Sequence, residues 1–420
     1  MSSERFYGVE FIDETVGGIT VTENRAANAF VIGAADVGTV HAAGERAAYI
    51  NKRHLIRTKA DVVAAFGEPS AGFDLSARLY QMIDEAGPKG IGRIWAVNVY
   101  DPAVHAGGVD DITAAHIIGG FDAQGVASGL QIALTLFNAQ GSFAKFLDAG
   151  DYASLAGVRA AMETIAQRTG ARHFFNAPEG ATVQDALGSR GDGGAFDAQA
   201  ASRRLALCWP RVHRPDGAGG TRLMPYSPTV LGVWMRTIQE RGWHISPSNE
   251  AIQGVETPER DVIQVPGTTD DDPGLLRDAG YVTLESRYGT GLRTSGNRSS
   301  AWPADSDMRN FLHAQLTEDV LTEALTLYLA QFKDEPAGPA RIEAIEEGAN
   351  DYLQSLKRGD EPKISDGRFA FDRTRTTSSS IAAGRSAWTL TFAPIGIMEH
   401  IQVYRELDID LLADPLGLAA

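Results

Sequence analysis

The stretch Arg385-Ser-Ala-Trp388-Thr-Leu390-Thr-Phe392-Ala-Pro394-Ile-Gly396, running on through Ile401-Gln-Val403-Tyr404-Arg-Glu-Leu407-Asp-Ile409 to Ala413, decides how the chain is read. Trp388, Leu390 and Phe392 alternate with Thr389 and Thr391, the two-residue period of a half-buried strand. Pro394 cannot donate to a ladder and Gly396 turns easily, so the run breaks there. A second alternation follows, with Ile397, Ile401, Val403, Leu407, Ile409 and Leu411 on one parity, interrupted by Glu399 and Arg405. Chain ends are normally poor in pattern, yet this one is a long β-segment in need of a partner. The other end is similar: Tyr7, Val9 and Phe11 alternate with Gly8 and Glu10, and Ile19 and Val21 with Thr20 and Thr22. Two outcomes are open. Both ends pair within their own domain, or they add strands to neighbouring copies.

The 420 residues suffice for a large core and for two to four domains. A net charge of −16 argues against nucleic acid or an anionic membrane surface as partner. The single cysteine, Cys208, sits in the apolar run Leu205-Ala-Leu-Cys-Trp209, so no intrachain disulfide can form, which fits a reducing compartment. No signal-like segment opens the chain and no apolar run approaches the ~18 residues of a membrane span. A cytoplasmic site of synthesis is expected, without membrane insertion.

Working inward, residues 1–24 read as an N-terminal arm with Gly17 and Gly18 as hinge candidates, and 397–420 as a C-terminal arm hinged at Gly396. Residues 25–100 read as an α+β domain: a buried strand at Ala29–Ala34, a helix over Ala60–Phe66 capped by Thr58, a helix over Leu75–Glu85 stopped by Gly87-Pro88-Lys89-Gly90, and a strand over Ile94–Val99. Residues 101–280 alternate strands and helices, an α/β layer with a mostly parallel sheet. Helices are expected over Val126–Phe137, Asp151–Arg168 and Pro228–Arg241, and strands at Arg172–Asn176 and Leu205–Trp209. The polar run Thr268–Gly274 reads as a separating loop. Residues 281–396 read as an α+β domain with two long helices, the first over Asp307–Phe332 capped by Asp305 or Ser306, the second opened by Pro339.

Chemistry is hard to find. The glycine-rich turn at Gly87–Gly92 precedes a strand, and Pro88 lacks a donor a phosphate would use. Nine histidines are scattered with no two at metal-binding helical spacing, and His173 and His213 read as packing or capping residues. Asp270-Asp-Asp272 could attract a divalent cation but reads as a solvated loop; Glu343, Glu346 and Glu347 form an acidic face that is either solvated or meets basic residues on a partner, and Arg57, Arg93, Arg293, Arg298 and Arg309 read equally as surface charges. No catalytic, cofactor or metal site is expected. A hydrolase-like enzyme using the central α/β layer is the alternative, but it needs a nucleophile, a base and an oxyanion site in one pocket.

Several stretches resemble the tail sheath proteins of contractile phages, of R-type bacteriocins and of related contractile injection systems. They are Phe6-Tyr-Gly-Val-Glu10 with Phe30-Val-Ile-Gly-Ala34; Ile112-Thr-Ala-Ala-His-Ile-Ile-Gly-Gly120; Pro225–Gly254 with Val233, Arg236 and Ile245-Ser-Pro-Ser-Asn249; and Gly296-Asn-Arg-Ser299 followed by two long helices and Ile381-Ala-Ala-Gly-Arg385. The similarity runs in one order over nearly the whole chain, with little room for large outer insertions. It implies a structural protein, not an enzyme, that polymerises around a tail tube. Tyr7, Val9, Phe11, Ile401, Val403, Tyr404, Leu407 and Ile409 would supply strands to other copies. The expected partners are further copies of the chain, the tube protein facing the C-terminal helices, and baseplate and tail terminator proteins. The expected place is a virion tail assembled in a host cytoplasm. Another component of the same machine, tube or baseplate, fits the length and paired terminal strands less well.

Overall fold

The structure is a computed structural model that describes residue 21 and residues 26–216, 220–287 and 289–408. Thirteen strands form three sheets. The central one uses β1 (Asn28–Gly33), β2 (Arg53–Ile56), β3 (Arg93–Asn98), β4 (Phe146–Asp148), β5 (Arg172–Asn176) and β6 (Leu205–Cys208). A side sheet holds β7 (Val212–Pro215), β8 (Thr221–Met224) and β9 (Thr257–Pro258). The central sheet resumes with β10 (Tyr281–Arg287) and β11 (Gly291–Ser295), and β12 (Ile364–Phe371) pairs with β13 (Trp388–Pro394). The helices are α1 (Lys59–Phe66), α2 (Leu75–Gly90), α3 (Ala114–Ile118), α4 (Leu136–Gln140), α5 (Val158–Thr169), α6 (Val183–Gly188), α7 (Ser227–Glu240), α8 (Asp272–Asp278), α9 (Leu312–Ala330), α10 (Pro339–Lys357) and α11 (Ser378–Ala382).

The central sheet has eight strands in the order β11-β10-β6-β5-β4-β1-β3-β2. The six inner strands are parallel and each edge strand is antiparallel to its neighbour. Strands buried on both faces read as continuous apolar runs, and β1 does so. Ala29 and Val31 face a layer with Leu79 and Met82 of α2 and Leu231 and Trp234 of α7, while Phe30 and Ile32 face Val158, Met162 and Ile165 of α5. Each fully buried Val, Leu, Ile, Phe or Met among them contributes roughly 1.5–3 kcal/mol over exposure. Helices α2 and α7 cross closely because Gly232 lacks a side chain: a Cβ there would lie 2.5 Å from Glu85 Cβ and 2.7 Å from the Met82 carbonyl.

This sheet corrects the expected division at residues 100 and 280. Strand β1 lies between β3 and β4, so the segments 25–100 and 101–280 share one hydrogen-bonded layer. Strands β10 and β11, assigned by sequence to the region 281–396, close the same layer at its far edge. Local corrections follow from caps and glycines. The expected helix over Val126–Phe137 is a 3-10 turn, Gly129–Thr135, leading into α4. The expected helix from Asp151 starts only at Val158, after Gly157 at φ 85°. The Asp270–Asp272 loop starts α8, with the Asp271 carboxylate accepting from Gly274 N at 3.0 Å. Asp307 caps a short 3-10 turn, Met308–Asn310, and α9 begins at Leu312. At Gly87, φ 67° and ψ 175° are not helical, so the helix from Leu75 breaks at the glycine where the sequence placed its stop, and a short turn follows it within the span α2.

The C-terminal region is antiparallel and separate from the central sheet. Helix α10 starts with Pro339 and buries Ile345, Ala349, Leu353 and Leu356 against α9, β12 and β13, the stripe its sequence carries. Helix α9 is buried nearly all round, including His313, Gln315, Thr317 and Asp319, because it lies between the central sheet and the β12–β13 pair.

Candidate assembly site

The strand predicted at Trp388–Phe392 forms as β13 and, among the described residues, pairs with β12 alone. Trp388 stacks on Phe369 at 5.3 Å between ring centroids, and Leu390 and Phe392 pack on the core formed by α9 and α10. A two-stranded sheet is marginal by itself, so this pair depends on the helices beneath it.

After β13 the chain is pinned twice. Buried His313 on α9 lies 3.2 Å by Nε2 from the Ile395 carbonyl, and its Nδ1 lies 2.6 Å from Asn297 Nδ2. An amide N–H donating to Nδ1 requires the neutral ring with its proton on Nε2. Burial lowers the pKa of His313 to about 4, against the raising effect of the Ile395 carbonyl. The second pin is Arg298, read from sequence as a surface charge. Its guanidinium lies between the rings of Trp302, at 3.7 Å, and Phe311, at 4.4 Å, and donates to Glu399 at 2.8 and 2.5 Å. Stacking on two rings adds cation–π attraction to the charge-assisted bonds. Gly396 lies exposed between these pins.

Beyond Glu399 the segment 400–408 has no regular secondary structure. Ile401, Val403, Tyr404 and Leu407 are 69, 76, 89 and 86 % exposed. Scattered exposed apolar side chains are ordinary, but a contiguous row of them marks a contact surface. Ile409, Tyr7, Val9, Phe11, Gly17 and Gly18 lie outside the described residues.

A second cluster missed by sequence reading joins the body to the C-terminal helices. Asp319 of α9 accepts from Arg172 at 2.5 Å and from Arg204 at 2.8 Å with both oxygens, and Lys145 pairs with Glu323. The two arginines precede Asp319 by 147 and 115 residues, so no local spacing signals the cluster. Burial opposes ionisation of Asp319, but the arginines outweigh it and its pKa is lowered.

An enzyme-like arrangement occurs once among the described residues, in a cavity lined by Glu163, His173 and Ser202. Ser202 Oγ donates to Glu163 at 2.6 Å, and His173 Nε2 lies 2.7 Å from the same carboxylate oxygen. The carboxylate sits between serine and histidine, so the histidine does not accept the serine proton, and a nucleophile–base pair is not formed. Burial disfavours the charged form of Glu163, but bonds from His173 and Ser202 outweigh it and bring the carboxyl down to about 2. Among the described residues there is no cluster of three potential metal ligands, and no helix is long and apolar enough to cross a membrane.

No family model matches the chain. It is 28 % identical to a tail sheath protein of Burkholderia phage BcepMu, over 91 % of this chain and 93 % of that one. It is 26 % identical to a prophage major tail sheath protein of Pseudomonas aeruginosa strain UCBPP-PA14, over 99 % of both. In fold it matches the contracted sheath complex of the extracellular contractile injection system PVC, with TM-score 0.67 and 15 % identity over 98 % of this chain and 100 % of that one. Along its length the chain is similar in sequence to the tail sheath proteins of phages and prophages, and it shares the fold of a contractile injection-system sheath.

Proposed function

We propose that the protein is the structural subunit of a contractile tail sheath. The observation that carries this reading is the pairing, in one chain, of a two-stranded sheet with an exposed apolar tail of strand periodicity. Each is incomplete in the single copy, and each supplies what the other lacks. The tail of one copy extends the sheet of another by β-augmentation, with the N-terminal arm, residues 1–24, as a second donor. Copies so linked stack around a tail tube, with the C-terminal helices facing it and baseplate and terminator proteins at the ends. Main-chain ladders hold the lattice while side-chain contacts between bodies repack, and many modest interfaces sum through multivalency. The ion pairs of Asp319 and Glu323 support movement of the body and α9 as one rigid unit. Shortening of the lattice drives the tube through a target envelope. Assembly takes place in a host cytoplasm and the product resides in a virion tail.

The test is electron microscopy of the purified full-length chain. Long hollow tubes of regular repeat are expected. A monodisperse monomer under all assembly conditions contradicts the reading.

A further inference from the structure

Two of the arginines read from sequence as surface charges, Arg57 and Arg93, meet at one edge of the central sheet. Strands β2 and β3 are antiparallel with Ile56 opposite Ile94, so one further step of the register sets Arg57 opposite Arg93. Like charges directly opposite on neighbouring strands are destabilising. Other arginines of the body are matched by carboxylates: Arg78 by Asp148, Arg172 and Arg204 by Asp319, Arg211 by Asp151 and Arg214 by Glu85. Among the described residues, the side chains of Arg57 and Arg93 have neither an ion pair nor a hydrogen bond, and Nε of Arg93 is shut off from solvent. The carboxylate nearest to Arg57 in sequence, Asp61, is already used, accepting from the backbone N–H groups of Arg57 and Thr58 at 2.9 Å each. Both arginines line a cavity of about 230 Å³, together with Asn28, Gly92 and Gln239, and none of its lining residues is acidic. Gly92 closes one wall. A Cβ there would lie 1.8 Å from the Ala27 carbonyl, so only glycine lets the turn before β3 press on the start of β1, where Arg93 N donates to that carbonyl at 2.9 Å. Asn28 is 2 % exposed and its Oδ1 has no partner, while its Nδ2 donates to Ser142 Oγ at 3.2 Å. An amide can turn over and keep that bond, because a hydroxyl both donates and accepts; turned, Asn28 offers a further N–H.

We propose that this cavity binds a compact dianionic oxyanion of the phosphate class, held between Arg57 and Arg93. The charge selects a dianion: two opposed guanidinium groups have no acid between them, and a single carboxylate would leave one positive charge unmatched. The planar fork of N–H donors on each guanidinium fits an edge of a tetrahedral oxyanion, and such charge-assisted bonds are the strong ones. The amides of Asn28 and Gln239 supply further donors. A water in the liquid occupies about 30 Å³, so the cavity has room for such an ion with a few waters. The bound ion would turn a repulsion into a tie, joining Asn28 at the start of β1, Arg57 at the end of β2, Arg93 at the start of β3 and Gln239 in the last turn of α7. This is independent of the sheath reading, since it concerns the body of one copy.

Thermal unfolding of the full-length chain in rising inorganic phosphate tests this, with ionic strength held constant by sodium chloride and a parallel series in acetate. A ligand that binds only the folded chain raises the melting temperature in a saturable way, whereas a general salting effect is unsaturated and is shared by every variant. A saturable rise is expected with phosphate, with little from acetate and none from chloride. Arg57→Gln and Arg93→Gln should each weaken the apparent phosphate affinity about 10- to 150-fold, the loss of one charge-assisted hydrogen-bond partner. Arg358→Gln, at an exposed arginine after α10, should leave that affinity unchanged. Should a glutamine variant fail to fold, nuclear magnetic resonance of the unsubstituted chain reads the same site: the Arg93 Nε–H signal is expected to shift on addition of phosphate. Equal stabilisation by acetate or chloride, full phosphate affinity in both glutamine variants, or an Arg93 Nε–H signal that phosphate does not move overturns the proposal and leaves the sheath reading intact.

Discussion

The central sheet and the β12–β13 pair solve the same problem in opposite ways. Eight strands covered by helices on both faces leave two edges, and both are managed within the chain. At β11 the segment 249–252 runs alongside, Asn249 N donating to the Thr294 carbonyl at 2.7 Å and Ile252 N to the Leu292 carbonyl at 2.9 Å. At the other edge, β2 is only four residues long and opens with exposed Arg53. Among the described residues the β12–β13 pair has two strands, with side chains bonded to the outer backbone of β12 and no bonds along the outer edge of β13. On the proposed sheath reading, a self-sufficient body carries a sheet that another copy completes. Stability resides in the first region and connectivity in the second, and substitutions in the two should fail in different ways.

The largest effect is expected from removing the arms. Deleting residues 399–420, or residues 1–18, should abolish tube formation in negative-stain images while the far-UV circular dichroism of the soluble subunit is unchanged. Normal tubes from both truncations would contradict strand exchange. The junction between the regions comes next. Asp319→Ala leaves Arg172, fully buried, and Arg204 without their carboxylate. Breaking such a buried pair should cost about 3–5 kcal/mol by urea denaturation. Within each region a glycine measures how tightly helices meet. Gly232→Ala drives a methyl into the α2 backbone and should cost about 1–3 kcal/mol. Gly348→Ala on α10 meets the hydroxyl end of the Tyr328 side chain and not backbone, so a smaller loss of melting temperature is expected there.

The smallest effect is a separation by pH. His313 has its folded pKa lowered from 6.5 to about 4 by burial, so the unfolded chain binds the proton more readily between these values. Stability from neutral His313 is present above pH 6.5 and is lost as pH falls through about 4. Glu163 in the central region, lowered from 4.5 to about 2, contributes above pH 4.5 and loses that contribution as pH falls through about 2. Hydrogen exchange on acidification should therefore loosen residues 395–397 before residues 172–174. The reverse order would contradict both assignments.

Much of this was legible in the chain because it is written locally. The alternation of Trp388, Leu390 and Phe392, the apolar run at Phe30–Ile32, the Thr58 cap and the Pro339 start each depend on neighbours a few residues away. The order of the sheet was not legible, since insertion of β1 between β3 and β4 depends on the connection from residue 98 to residue 146, which carries the chain past β1. Nor was the role of Asp319 or Arg298, whose ion-pair partners lie over a hundred residues away. Asp271 shows a different failure: a capping carboxylate and a solvated one look alike until the helix they start is seen. At the chain end the pattern announced a strand, but Asn350 and Glu346, which bond the backbone of Phe369 and Phe371, sit on a face of α10 that reads as merely acidic.

Electron cryo-microscopy of tubes formed by the full-length chain tests most directly whether one copy completes the sheet of another. The expected density continues the β12–β13 pair with strands traced back to the termini of neighbouring copies. Density in which each terminus folds onto its own body, with no backbone ladder crossing between copies, would contradict it.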